Sequence, residues 1–234
     1  MTFDDAQRQP GKAGQAARPP TGAETLLLGL KRSGIDYIFA NSVTDFPPII
    51  EAFASLDEES VPSPVIVPHE TASVGMAHGY YLVTGRPQAT MVHVNVGLAN
   101  SAMGVINAAS DDIPVVVMSG RTPITERGRR GARVTPIQYG QEMYDQSSII
   151  GDVVKFRYEM RYPEQGEILA ARAVSLAISE PRGPVYISLP REALMETVPA
   201  GIMIGAPVPT PATAPHPDPA AIGEAARRLS AAKR

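Results

Sequence analysis

The chain contains no cysteine and no tryptophan among its 234 residues. Without cysteine it forms no disulfide, has no thiolate nucleophile and offers no cysteine ligand to a metal, which fits a cytoplasmic protein. An excess of charge is also missing. Its 21 basic and 24 acidic residues leave a formal net charge of -3, too balanced to draw it to nucleic acid or to an anionic membrane. Long hydrophobic runs are absent: the longest, such as Ile113 to Met118, fall far short of the roughly 20 residues that a membrane helix needs. Residues 1–20 are rich in Gln, Arg, Gly and Pro, so they read as a disordered lead and not as a secretory signal. Neither a phosphate-loop lysine pattern nor a Gly-x-Gly-x-x-Gly fingerprint occurs, which removes nucleoside triphosphate and Rossmann dinucleotide binding.

What is present is an alternation of helical and strand patterns, long enough for one domain of about 180 residues. A helix is predicted over Thr21 to Ser33, where Thr21 caps, Glu24 completes a capping box and Gly34 stops it. Further helices are expected over 46–56, 71–83, 98–110 and 164–179. Strands are expected at 37–40, 65–67, 89–94, 115–119, 153–156 and 185–189. Near-continuous apolar strands separated by helices imply an α/β fold, a three-layer open sheet of about six mostly parallel strands with helices on both faces. The helix from Thr71, with Gly75, Ala77 and Gly79, suits close packing on another helix. Beyond the domain at 21–198, Pro199 to Pro219 holds seven prolines and reads as a semi-extended linker. Asp218-Pro219 then opens an amphipathic helix that runs to the end of the chain.

One acid stands out. Glu70 follows the apolar strand Val65-Ile66-Val67 and opens the next helix, which puts it at the edge where open α/β sheets bind ligands. The alternative is a carboxylate that merely complements the helix dipole. His69, Glu70 and His78 do not make a zinc helix, because the second histidine would have to fall at Ser73. His93 reads as an interior strand residue. Arg127, Arg129, Arg130 and Arg133 lie in a glycine-rich stretch that is either a solvated mobile loop or a holder of substrate carboxylate.

His-Glu at 69–70, Met-Ala-His-Gly-Tyr at 76–80, Thr-Gly-Arg-Pro at 84–87, Gly-Leu-Ala-Asn at 97–100 and Asp-Ile-Pro-Val-Val-Val at 112–117 occur in one order. From about Thr21 to Pro199 the chain resembles the N-terminal pyrimidine-binding domain of thiamine-diphosphate-dependent enzymes, and within them the acetolactate synthase-like decarboxylases and carboligases. The resemblance implies a lyase or transferase acting on a 2-oxo acid, with Glu70 as the catalytic acid at the cofactor's aminopyrimidine. It places Asn41, Ser42 and Val43 at the cofactor pocket, Val43 replacing a glycine of many relatives. Asn95, Gly97 and Asn100 are further cofactor-binding candidates, in a turn where Asn95 and Val96 replace Gly and Pro. His69, Gln141 and Arg121 are the substrate-pocket candidates.

The family binds the diphosphate through Mg²⁺ on another domain, by a Gly-Asp-Gly motif followed by an asparagine. Here Gly151-Asp152 is followed by Val153, and no asparagine follows Asn107; no metal ligand is therefore expected in this chain, and alone it is expected to be inactive. The resemblance implies a second copy of the domain across a dimer interface, in a homodimer or tetramer. It also implies a Mg²⁺-diphosphate domain in the same or a companion chain, and FAD in some relatives. The expectation is the N-terminal part of a longer enzyme, with 219–234 as the first helix of a central domain; the alternative is a stand-alone non-catalytic domain or a split subunit.

Overall fold

The computed structural model describes residues 18–41, 46–212 and 214–233. Helix α1 (Gly22–Arg32) begins as its sequence predicts. The Thr21 hydroxyl accepts from the Glu24 N–H at 3.3 Å, and Glu24 Oε2 accepts from the Thr21 N–H at 2.7 Å. Glu24 also takes bonds from Arg18 and from the Ser55 hydroxyl. Burial pushes its carboxyl upward, but the bonds from Arg18, Ser55 and the Thr21 N–H outweigh burial and hold it below the usual carboxylate range.

After α1 come β1 (Tyr37–Ala40), α2 (Pro47–Ser55), β2 (Ser63–Ile66), α3 (Glu70–Thr84), β3 (Gln88–Val92) and α4 (Val94–Ser110). They are followed by β4 (Val115–Arg121), α5 (Ile137–Gly140), β5 (Arg157–Glu159), α6 (Gly166–Ile178), β6 (Val185–Pro190), α7 (Arg191–Met195) and α8 (Pro219–Ala231). The six strands are all parallel, in the order β2-β1-β3-β4-β6-β5. Because strand side chains alternate between faces, Ile38, Met91, Met118 and Ile187 pack with α1 and α6 on one side. Phe39, Val92, Val117 and Tyr186 pack with α3 and α4 on the other. The expected three-layer architecture is what the chain adopts.

Three local expectations are corrected. The strand predicted at 153–156 is a turn and loop, and the strand itself is Arg157–Glu159: Val153 and Val154 spend their apolar surface beside α4 instead of in the ladder. Helix α4 starts at Val94 and not near 98, so His93 is its N-cap and not a strand interior residue. On α3 only one side is packed. Val74 and Ala77 face α4, where a Cβ on Gly104 would lie 2.8 Å from Val74 Cβ, whereas Gly75 and Gly79 look into open space and Val83 is 86% exposed. Beyond the sheet, the proline-rich segment lies on α6 through Ser175 Oγ to the Thr210 carbonyl at 3.1 Å and the Ala212 N–H to Ser179 Oγ at 3.0 Å.

Candidate active site

Strand β1 lies between β2 and β3, so the chain leaves it toward one side and later returns on the other. Such a reversal opens a crevice beyond the carboxyl ends of the strands. Asn41 ties that edge together: its N–H donates to the Met91 carbonyl at 3.1 Å, and its side-chain amide donates to the Pro68 carbonyl at 3.4 Å. Ser42 and Val43 lie outside the described residues.

Glu70 is the first residue of α3 and is 8% exposed. His69 caps the helix, its Nδ1 accepting from the Thr71 N–H at 3.2 Å. The carboxylate therefore sits at the positive end of the helix. Its Oε2 accepts from the side-chain amide of Asn100 on α4 at 3.2 Å, and the Thr71 hydroxyl donates to the Asn100 carbonyl at 2.8 Å. Its Oε1 lies over Gly97, where a Cβ would come within 3.2 Å of that oxygen and 3.1 Å of His93 Cβ. Glycine at 97 thus lets the acid and the start of α4 approach each other.

That same spacing brings His93 Cβ and Glu70 Oε1 to one glycine, a proximity the sequence did not disclose. His93 Nε2 stands 3.0 Å from the side-chain nitrogen of Gln141, just beyond α5; with the amide donating, the ring proton lies on Nδ1. Asn95, in the first turn of α4, has a buried Oδ1 with no partner among the described residues. Glu70, Asn100, Gly97, His93 and Gln141 are thus linked around one strand edge. Arg121, at the end of β4, lies 4.0 Å from Glu142, the residue after Gln141. Its Nε donates to Glu159 Oε2 at 3.0 Å, and it lines a separate cleft of about 320 Å³ with Gln146, Arg157 and Ser188. No group of three or more His, Asp or Glu that could hold a metal occurs among the described residues, and none of their helices is long and apolar enough to cross a membrane.

The fold and this edge define an open parallel α/β domain with a buried carboxylate, Glu70, beyond the carboxyl ends of its strands. Residues 20–149 match the family described as thiamine pyrophosphate enzyme, N-terminal TPP binding domain, and the chain belongs to that family. It is 28% identical over 185 residues to the acetolactate synthase large subunit of Parasynechococcus marenigrum, covering 78% of this chain and 28% of the relative. It is 27% identical over 190 residues to the benzoylformate decarboxylase of Pseudomonas aeruginosa, covering 78% of this chain and 34% of that enzyme. The fold is shared with the thiamine diphosphate-dependent 4-hydroxybenzoylformate decarboxylase of Rhodococcus jostii, at a TM-score of 0.70 and 22% identity over 92% of this chain and 38% of that one. The chain therefore spans about a third of the length of the proteins that it matches.

Proposed function

We propose that this chain is the pyrimidine-binding part of a thiamine-diphosphate-dependent decarboxylase or carboligase that acts on a 2-oxo acid. The observation that carries the proposal is the buried Glu70 carboxylate at the strand edge, held by Asn100 and given room by Gly97. These residues fit the aminopyrimidine end of the cofactor: the carboxyl group can share a proton with a ring nitrogen, and Asn95, in the first turn of α4, has a buried Oδ1 with no partner among the described residues. When bound, thiamine diphosphate supplies the electron sink for cleaving the bond between a carbonyl carbon and a carboxylate. Glu70 holds the proton, and Asn100 orients the carboxylate that holds it. His69 fixes the first turn of α3, and Asn41 keeps the ends of β1, β2 and β3 in register. On this proposal the His93 and Gln141 pair, 3.0 Å apart, would meet the substrate from the α4 side.

The diphosphate and its Mg²⁺ belong, on this proposal, to another domain in the same or a companion chain. The outer side of α3 supports contact with a second copy: Tyr37, Phe39, Val65, Met76, Tyr80 and Val83 line an apolar groove of about 530 Å³ beside it. The domain proposed is 21–198, with 199–218 as linker and α8 as the start of a central domain, where FAD would find its contacts if the complete enzyme is a flavoprotein.

The test is carbon dioxide release from a panel of 2-oxo acids by the complete assembly, with Glu70→Gln as the variant. Loss of turnover with retained folding supports the proposal. Full activity of the variant contradicts it, and an assembly that binds the cofactor but consumes no 2-oxo acid favours the non-catalytic domain instead.

A further inference from the structure

In the segment between β4 and α5, Arg127, Arg129 and Arg130 are exposed, whereas Arg133 is turned inward. The Arg133 side chain is 8% exposed. Its Nε donates to the Pro123 carbonyl at 2.8 Å, its Nη1 stands 3.3 Å from Glu126, its Nη2 pairs with Glu142, and its guanidinium lies 4.7 Å from the Tyr139 ring centroid. One planar fork thus bonds in three directions while stacking on an aromatic face, a combination that lysine does not reproduce. Glu142 is the residue after Gln141, and its other oxygen lies 4.0 Å from Arg121.

The far end of the segment is clamped on α7. The Thr125 N–H and hydroxyl donate to Glu192 Oε1 at 2.9 and 2.6 Å, and Arg191 donates to the carbonyls of Gly131 and Ala132 at 2.9 and 2.7 Å. Gly131 has φ +89°, and a Cβ there would lie 3.0 Å from the Glu192 nitrogen, so both its conformation and its contact call for glycine.

We infer that Arg133 is a positioning residue for the Glu70 crevice: it fixes Glu142, and through it Gln141, so that the Gln141 amide stays on His93. What that pair does for a substrate rests on the function proposed above, but the positioning itself needs no cofactor. The test reads the His93 imidazole signals by nitrogen-15 NMR in the chain without cofactor. Its four histidines are assigned by substitution. Arg133→Met and Glu142→Gln are expected to move the His93 signals toward those of Gln141→Leu. Arg133→Lys is expected to move them in the same direction, and Arg127→Met, on the exposed side of the segment, to leave them in place. Unchanged His93 signals in a folded Arg133→Met protein overturn the inference. If that variant does not fold, unchanged signals in folded Glu142→Gln overturn it equally. Should Glu70 prove to have no role in turnover, these signals are unaffected, so the two outcomes stay separable.

Discussion

Asn100 donates its side-chain amide to Glu70 Oε2 across 3.2 Å, joining the second turn of α4 to the first residue of α3. With the Thr71 hydroxyl bonded to the Asn100 carbonyl at 2.8 Å, the packing of two helices sets the carboxylate's place. A flexible glutamate side chain is thereby held at a fixed point of the strand edge, which proton sharing with a ligand requires.

Gly97→Ala puts a methyl group within 3.2 Å of Glu70 Oε1 and 3.1 Å of His93 Cβ. Either the carboxylate turns away or the start of α4 shifts. Thiamine diphosphate affinity of the complete assembly is expected to fall about tenfold or more, equivalent to about 1.4 kcal/mol, while the fold persists. Calorimetric titration checks it, and unchanged affinity would show that the space over Gly97 is not used.

Gly104→Ala tests the helix contact from below. A Cβ at 2.8 Å from Val74 Cβ pushes α3 off α4, and overpacking of this kind costs about 1–3 kcal/mol. Urea denaturation is expected to show a lower midpoint. A midpoint equal to the parent's would mean that the two helices are less closely seated than described.

Thr21→Ala removes the hydroxyl that accepts the Glu24 N–H and is expected to cost about 1 kcal/mol at neutral pH. Differential scanning calorimetry of the two proteins measures it.

Glu24 gives the chain a pH dependence whose sign follows from its lowered folded-state value. In the unfolded chain a glutamate titrates near about 4.3. Its contribution is therefore fully present above that value and is lost as pH falls through the lower folded-state value. Between neutral pH and about pH 5 little changes; below about 4.3 the parent is expected to lose stability more steeply than Glu24→Gln. Parallel slopes in acid denaturation would rule out this role.

The architecture was legible because local signals agreed with tertiary packing. The capping box of Thr21 and Glu24 forms as its spacing requires, and the apolar runs at 37–40, 115–119 and 185–189 become buried central strands. The position of Glu70 at the start of a helix was legible from its place after an apolar strand. The fifth strand was not: Arg157, Tyr158 and Glu159 carry no strand-like apolar run, and the ladder from Tyr186 to Ser188 fixes them. His93 was mistaken for a strand residue because no capping residue type marks the start of α4; its backbone takes the extended cap conformation without a side-chain cap bond. The internal bracing by Arg133 was illegible for another reason. Its partners Pro123, Glu126, Tyr139 and Glu142 lie on both sides of it in the chain, with no periodicity to connect them.

The most direct measurement of the central claim is the exchange rate of the thiamine C2 proton with deuterium, in the complete assembly containing this chain. With Glu70→Gln the exchange is expected to slow by about 10²-fold or more, the scale of a lost proton-transfer group, with the protein still folded and cofactor still bound. Exchange at the parent rate in that variant would contradict the assignment of Glu70 as the residue that activates the cofactor.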